Sequence, residues 1–126
     1  MVATAGCGGS SPKPQAENSA RKLSAEARQA AGPLVRLESL VRAKNARGLC
    51  SRVYVFDGEA GTDCPRALRP LLRADFTLAI RSVRVKGVTA VANADVSFKD
   101  RNGTQHQRDT FQLRKTRRGW RIVYIS

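Results

Sequence analysis

Residues 88–98 read VTAVANADVSF. Val88, Ala90, Ala92, Ala94, Val96 and Phe98 share one parity, against Thr89, Asn93, Asp95, Ser97 and then Lys99 on the other. A period of two sustained this long predicts a β-strand with one apolar face. Lys86-Gly87 predicts the turn before it and Asp100-Arg101-Asn102-Gly103 the turn after it. Upstream, Phe76, Leu78 and Ile80 alternate, then Val83 and Val85. The parity slips between Ile80 and Val83, which predicts a bulge or bend. Downstream, Thr104 to Thr116 forms a third strand with Phe111 and Leu113 inward. Arg117-Arg118-Gly119 then turns into a last strand, Trp120 to Ile125. Asp95 and Asp109 are expected on polar, outward faces.

Ahead of Asp75 the period is helical. Leu23, Ala27, Ala30, Leu34, Leu37 and Val41 recur at steps of four and three, giving one apolar stripe. Ser24 suits an N-cap, with Glu26 in the first turn. Gly32-Pro33 predicts a kink or a fresh start, because proline lacks the N–H and clashes with the preceding turn. A second short helix is expected over 47–55, a loop over 56–63, and a third helix over 64–74 that Pro70 shortens or kinks. Helices followed by a meander of four strands predict an α+β domain, helices on one face of an antiparallel sheet. Residues 1–22 are rich in Gly, Ser, Pro and Ala and poor in bulky apolar side chains. They are expected to form a disordered tether, leaving 23–126 as the domain.

With 126 residues the chain offers one modest core. Its net charge of +13 favours anionic partners and says nothing of fold. Of three cysteines, Cys7 lies in the tail while Cys50 and Cys64 lie in the domain. The simplest arithmetic is one disulfide plus one cysteine with another task, the alternative being two buried thiols. A Cys50–Cys64 bridge would contribute roughly 3 kcal/mol in the chain-entropy model.

A long first helix, two short ones and a bent antiparallel sheet together resemble the nuclear transport factor 2-like (SnoaL-like) superfamily. GWRIVYI, 119–125, is similar to its last strand, and VTAVANADVSF to its middle strand. Cys50 and Cys64, framing a short loop after the first helix, resemble actinobacterial secreted or lipid-anchored members. The resemblance covers 23–126. It implies a curved sheet wrapped around a helix, a cone with an apolar pocket, and homodimers through the open sheet face. The expected lining is Leu37, Val41, Phe76, Leu78, Val96, Phe98, Phe111 and Trp120.

Thr4-Ala5-Gly6-Cys7 followed by Gly8-Gly9 looks like a bacterial lipobox, with Cys7 the lipidated residue. Thr4 departs from the usual Leu or Val, and no apolar segment precedes it, so the reading requires an export signal upstream of Met1. Without one, the expected location is cytoplasmic. No metal is expected: zinc needs four ligands, and the domain offers Cys50, Cys64 and His106. No cofactor is expected either. His106 lies among glutamines, and no Ser-His-Asp spacing is legible. Asp75, at the entrance to the first strand, is the best of the weak acid–base candidates. Arg114, Lys115, Arg117, Arg118 and Arg121 form the densest basic run and are expected to meet an anionic surface. The aromatics fall at core positions rather than between these cations, which disfavours a nucleic-acid stacking surface. The leading expectation is an extracytoplasmic lipoprotein, non-enzymatic, whose cone binds a small apolar molecule or a protein. The rivals are a basic nucleic-acid binder and a small isomerase or hydrolase of the same fold.

Overall fold

A computed structural model of the chain describes residues 12–55 and 64–126. Five α-helices precede the sheet among these residues: α1 (Ala16–Ala20), α2 (Ala25–Ala30), α3 (Gly32–Arg42), α4 (Ala46–Arg52) and α5 (Cys64–Leu68). A 3-10 turn over Arg69–Leu71 follows. The strands are β1 (Thr77–Lys86), β2 (Thr89–Asp100), β3 (Gly103–Thr116) and β4 (Gly119–Ile125). They pair antiparallel in sequence order, as the alternation predicts.

Each helix start has a local cause. The Ser24 hydroxyl accepts from Ala27 N at 3.2 Å and opens α2. Gly32-Pro33 gives a fresh start: α2 ends at Ala30, and α3 begins with Pro33 in its first turn, where a missing N–H costs nothing. Asn45 Oδ1 accepts from Gly48 N at 2.9 Å and opens α4. The helix expected over 47–55 stops at Arg52, and residues 53–55 extend along β4 instead. Ile122 N donates to Val53 O, and Val55 N donates to Ile122 O, so backbone bonding to the sheet replaces the helix's last turn. The helix expected over 64–74 likewise ends early, Pro70 falling in the 3-10 turn. The loop expected over 56–63 lies outside the described residues.

The sheet bends at two bulges. Ile80 faces Ala94 and Ser82 faces Asn93, leaving Arg81 unmatched. This is the predicted parity slip, and it lets Leu78, Ile80, Val83 and Val85 all turn inward. A second shift, between Gln112 and Leu113, leaves Val123 unmatched on β4. Helix α3 contacts both outer strands, β1 and β4, and so crosses the concave face. Beneath it β2 presents Ala90, Ala92 and Ala94, all buried, whose small side chains leave room for the helices. Val88, expected on this apolar face, is instead 61% exposed. With Gly87 at φ 63 it forms the two-residue turn, since Lys86 already pairs with Thr89.

The expected tether over 1–22 needs correcting at its end. Residues 16–20 form α1, with Ala16 and Ala20 buried in the core. What holds this short helix is Glu38 on α3, 2% exposed. Its carboxylate accepts from Gln15 N at 2.9 and 3.1 Å, Ala16 N at 3.0 Å and Leu78 N at 2.7 Å. Ser19 Oγ accepts from Ile80 N at 2.9 Å. Composition correctly excludes a large apolar contribution from this segment. It does not exclude docking of two alanines by a charge-assisted clamp.

Glu38→Ala would strand three backbone donors in a largely dry site. We expect a loss of about 3 kcal/mol in denaturant unfolding, because bonds to a charged acceptor are worth roughly 1.5–3 kcal/mol each and stranded donors retain their desolvation cost. Amide exchange at Ala16, Leu78 and Ile80 should accelerate in the same variant.

Candidate functional site

The concave side of the sheet encloses a cavity of about 270 Å³ between α3, α4, α5 and the strands. Leu37 and Val41 supply its helical wall, and Val96, Phe98 and Phe111 its strand wall, with Phe76 just ahead of β1. Leu49, Tyr54, Leu68, Leu71 and Ile125 complete the apolar part. Leu78 and Trp120, expected here too, are buried elsewhere: Leu78 in the closed core, Trp120 below a cleft on another side of the molecule. Both are at inward positions, but the helices cover them before the cavity opens.

Four polar side chains line the cavity: Asp109, Gln107, Tyr54 and Arg73. Asp109, expected to face outward, shares the inward parity of Phe111 and lines it with Gln107. An acidic residue at an apolar parity is a signal that strand alternation offers and that residue type alone overrides. Gln107 Nε2 donates to both Asp109 oxygens, at 3.2 and 3.1 Å. Tyr54 is the third. Burial, and next the charge of Asp109, push its phenol up to about 12. At neutral pH it is therefore an uncharged hydrogen-bonding group, unsuited to giving up a proton. At the mouth, Arg73 lies over the Phe98 ring at 4.9 Å and donates to Lys99 O at 2.9 Å.

The other expected residues lie outside this cavity. Asp75 accepts from Lys99 N at 3.0 Å, which fixes the approach to β1. It lines an open groove with His106. Asp95 is outward, as expected, bonded to Arg81 at 2.7 Å and Arg108 at 3.2 Å. The Arg81 bond leads in holding its carboxyl below the usual range; desolvation opposes it, and the Arg108 bond and the charges of both arginines add to the lowering. Among the described residues no cluster of His, Cys, Asp or Glu could hold a metal ion. Cys50 and Cys64 form a disulfide, Cα atoms 5.9 Å apart, which ties α4 to α5 beside the cavity. Cys7 lies outside the described residues. The basic run divides: Lys115, Arg118 and Arg121 line the cleft beside Trp120, Arg117 a neighbouring depression, and Arg114 neither.

This architecture is shared with solved structures. A nuclear transport factor 2-like protein of unknown function from Shewanella oneidensis MR-1 superposes with a TM-score of 0.59 at 12% identity, over 74% of this chain and 93% of that chain. The chain has the nuclear transport factor 2-like fold. A nuclear transport factor 2 design with a long sheet gives 0.55 at 13% identity, over 79% of this chain and 96% of that one. A SEC-C motif containing protein from Rhodopseudomonas palustris gives 0.58 at 17% identity, over 87% and 89%. No protein-family model and no curated protein matches the sequence. At such identities the likeness carries the nuclear transport factor 2-like fold and no activity.

The Tyr54 environment has a pH consequence. Its folded pKa lies above the ordinary phenol value of 10, so it contributes stability in full below pH 10. That contribution falls away as pH rises through about 12. The loss between those limits should be on the order of 2–3 kcal/mol. Tyr54→Phe should abolish this part of the alkaline dependence. The difference in phenolate absorbance between parent and variant should be a step near pH 12; a step near 10 would contradict the buried setting.

Proposed function

We propose that the chain is a non-enzymatic binding domain whose cone takes a small apolar molecule, held outside the cytoplasm by a lipid on Cys7. The cavity carries this reading. Its walls are aliphatic and aromatic, and of its few polar groups Gln107 and Tyr54 lie close to Asp109, with Arg73 the fourth. That is the layout of a site that buries an apolar body and orients one polar end. At about 270 Å³ it is slightly smaller than the roughly 300–1,000 Å³ of sites for drug-sized ligands, so the occupant is small. The polar side holds a phenol that keeps its proton and a carboxylate with a glutamine partner, which suits a ligand that donates a hydrogen bond better than it suits proton transfer.

The location rests on two observations of unequal kind. The Cys50–Cys64 disulfide is compatible with an oxidising compartment. The Ala5-Gly6-Cys7 stretch fits acyl attachment chemically. No helix among the described residues is long and apolar enough to cross a membrane, so membrane association by this route depends on the acyl chain.

The neutral fluorophore N-phenyl-1-naphthylamine tests the cavity. Its emission should rise on binding, and Val96→Phe, which fills the space, should weaken binding about tenfold, equivalent to about 1.4 kcal/mol. Leu71→Glu at the rim is a second variant that leaves the core intact, and it should also weaken binding. Unchanged affinity in both would place the probe elsewhere. Separately, protein expressed from its natural upstream codons should partition with membranes, and Cys7→Ala should release it; partition that survives the substitution would end the anchor reading.

A further inference from the structure

A second concave site lies around Trp120, apart from the cavity. It is a cleft of about 560 Å³ lined by Arg28 from α2, Arg36 from α3, Arg52 from α4, and Lys115, Arg118 and Arg121 from the β3–β4 hairpin. Six cations thus converge from four places in the sequence, and no carboxylate lines the cleft. Among the described residues the ion pairs are Arg21–Glu17, Arg81–Asp95 and Arg108–Asp95, so none engages a cation of this cleft.

The cations are positioned as well as numerous. Arg36 Nε donates to Arg52 O at 3.3 Å, and its Nη2 reaches Trp120 O at 3.5 Å. Arg121 Nη1 donates to that same Trp120 oxygen at 2.9 Å. One backbone carbonyl therefore holds two guanidinium groups side by side. Each guanidinium has five N–H donors, and these bonds use only a minority of them. Holding like charges together costs Coulomb energy at partial burial. The molecule registers that cost: burial first, then the charges of Arg121 and Arg52, hold the Arg36 guanidinium below its usual pKa. A bound polyanion would remove the repulsion and accept the remaining donors.

We propose that this cleft binds a group carrying two or more phosphates. The cation count calls for several negative charges, and the planar guanidinium matches phosphate oxygens two at a time. The volume exceeds what a single phosphate would fill. The phosphates could be borne by a soluble molecule or by a lipid headgroup, since both present the same oxygens. This site is independent of the cavity and of any anchor at Cys7.

Sodium tripolyphosphate is the probe, with calorimetric titration of the full chain. Binding should be saturable and one to one. Arg28, Arg52 and Arg118 are exposed, so changing all three to Gln should leave the fold intact and weaken binding by at least about tenfold. Arg66, Arg69 and Arg101 are exposed and outside the cleft. Their triple change to Gln removes the same net charge and should alter affinity by no more than about twofold. The source of the phosphates is read in a second arm. Tighter binding to phosphatidylcholine vesicles containing phosphatidylinositol bisphosphate than to soluble inositol trisphosphate supports a lipid headgroup; equal binding supports a soluble ligand. Absence of saturable binding overturns the proposal. So does an equal loss in the two triple variants, which would reduce the effect to net charge.

Discussion

A single buried carboxylate organises one whole side of this molecule. Glu38 projects from α3 into a place where backbone N–H groups would otherwise be stranded: the entry to α1 and the outer edge of β1. An edge strand is a row of unpaired donors and acceptors, open to pairing with another chain. Here Glu38 takes the Leu78 donor and Ser19 takes the Ile80 donor. The opposite edge is treated differently, with residues 53–55 bonded to Ile122 of β4. Each outer strand is thus capped over part of its length, β1 at Leu78 and Ile80 by side chains and β4 at Ile122 by backbone.

Closing the edges this way leaves the helices arranged over the sheet, and the two concave sites follow. Where α3 crosses the concave face, the alanines of β2 and the inward residues of α3 are buried and the layers meet. Where the strands curl past α4 and α5, they no longer meet, and the aromatic cavity opens. The disulfide joins α4 and α5, two short helices that need such a tie to stay formed. Around Trp120, helices α2, α3 and α4 and the last hairpin bring the basic side chains together.

The sheet was legible because alternation is a local property with one reading. Four strands, their order and the slip near Arg81 follow from parity alone. The two clearest misplacements, Val88 and Asp109, have different causes: at Val88 parity and residue type agree but the turn overrides both, and at Asp109 parity and residue type disagree. Val88 is apolar but occupies a two-residue turn; Asp109 is charged but keeps inward parity. Glu38 was hidden for a related reason. It lies four residues after Leu34, on the buried face of α3, where a lone acid gives no hint that three donors from residues 15, 16 and 78 will surround it. The basic cleft was only half visible. The run near 114–121 stood out, but its partners Arg28 and Arg36 are scattered in sequence. Their spacing through Gly32, in steps of four, is the one trace of a shared helical face.

If Cys7 carries the proposed lipid, docking of α1 changes the geometry of attachment. A tether through residue 22 would place sixteen residue steps between Cys7 and the body, a reach of up to ~56 Å at full extension. With Gln15 already bound to Glu38, eight steps remain, and the reach falls to ~28 Å. Under the proposed anchor, a domain on so short a leash would not sample solution freely. Held at Cys7, it would stay within about its own diameter of the anchoring surface, with the β1 edge turned toward the point of attachment.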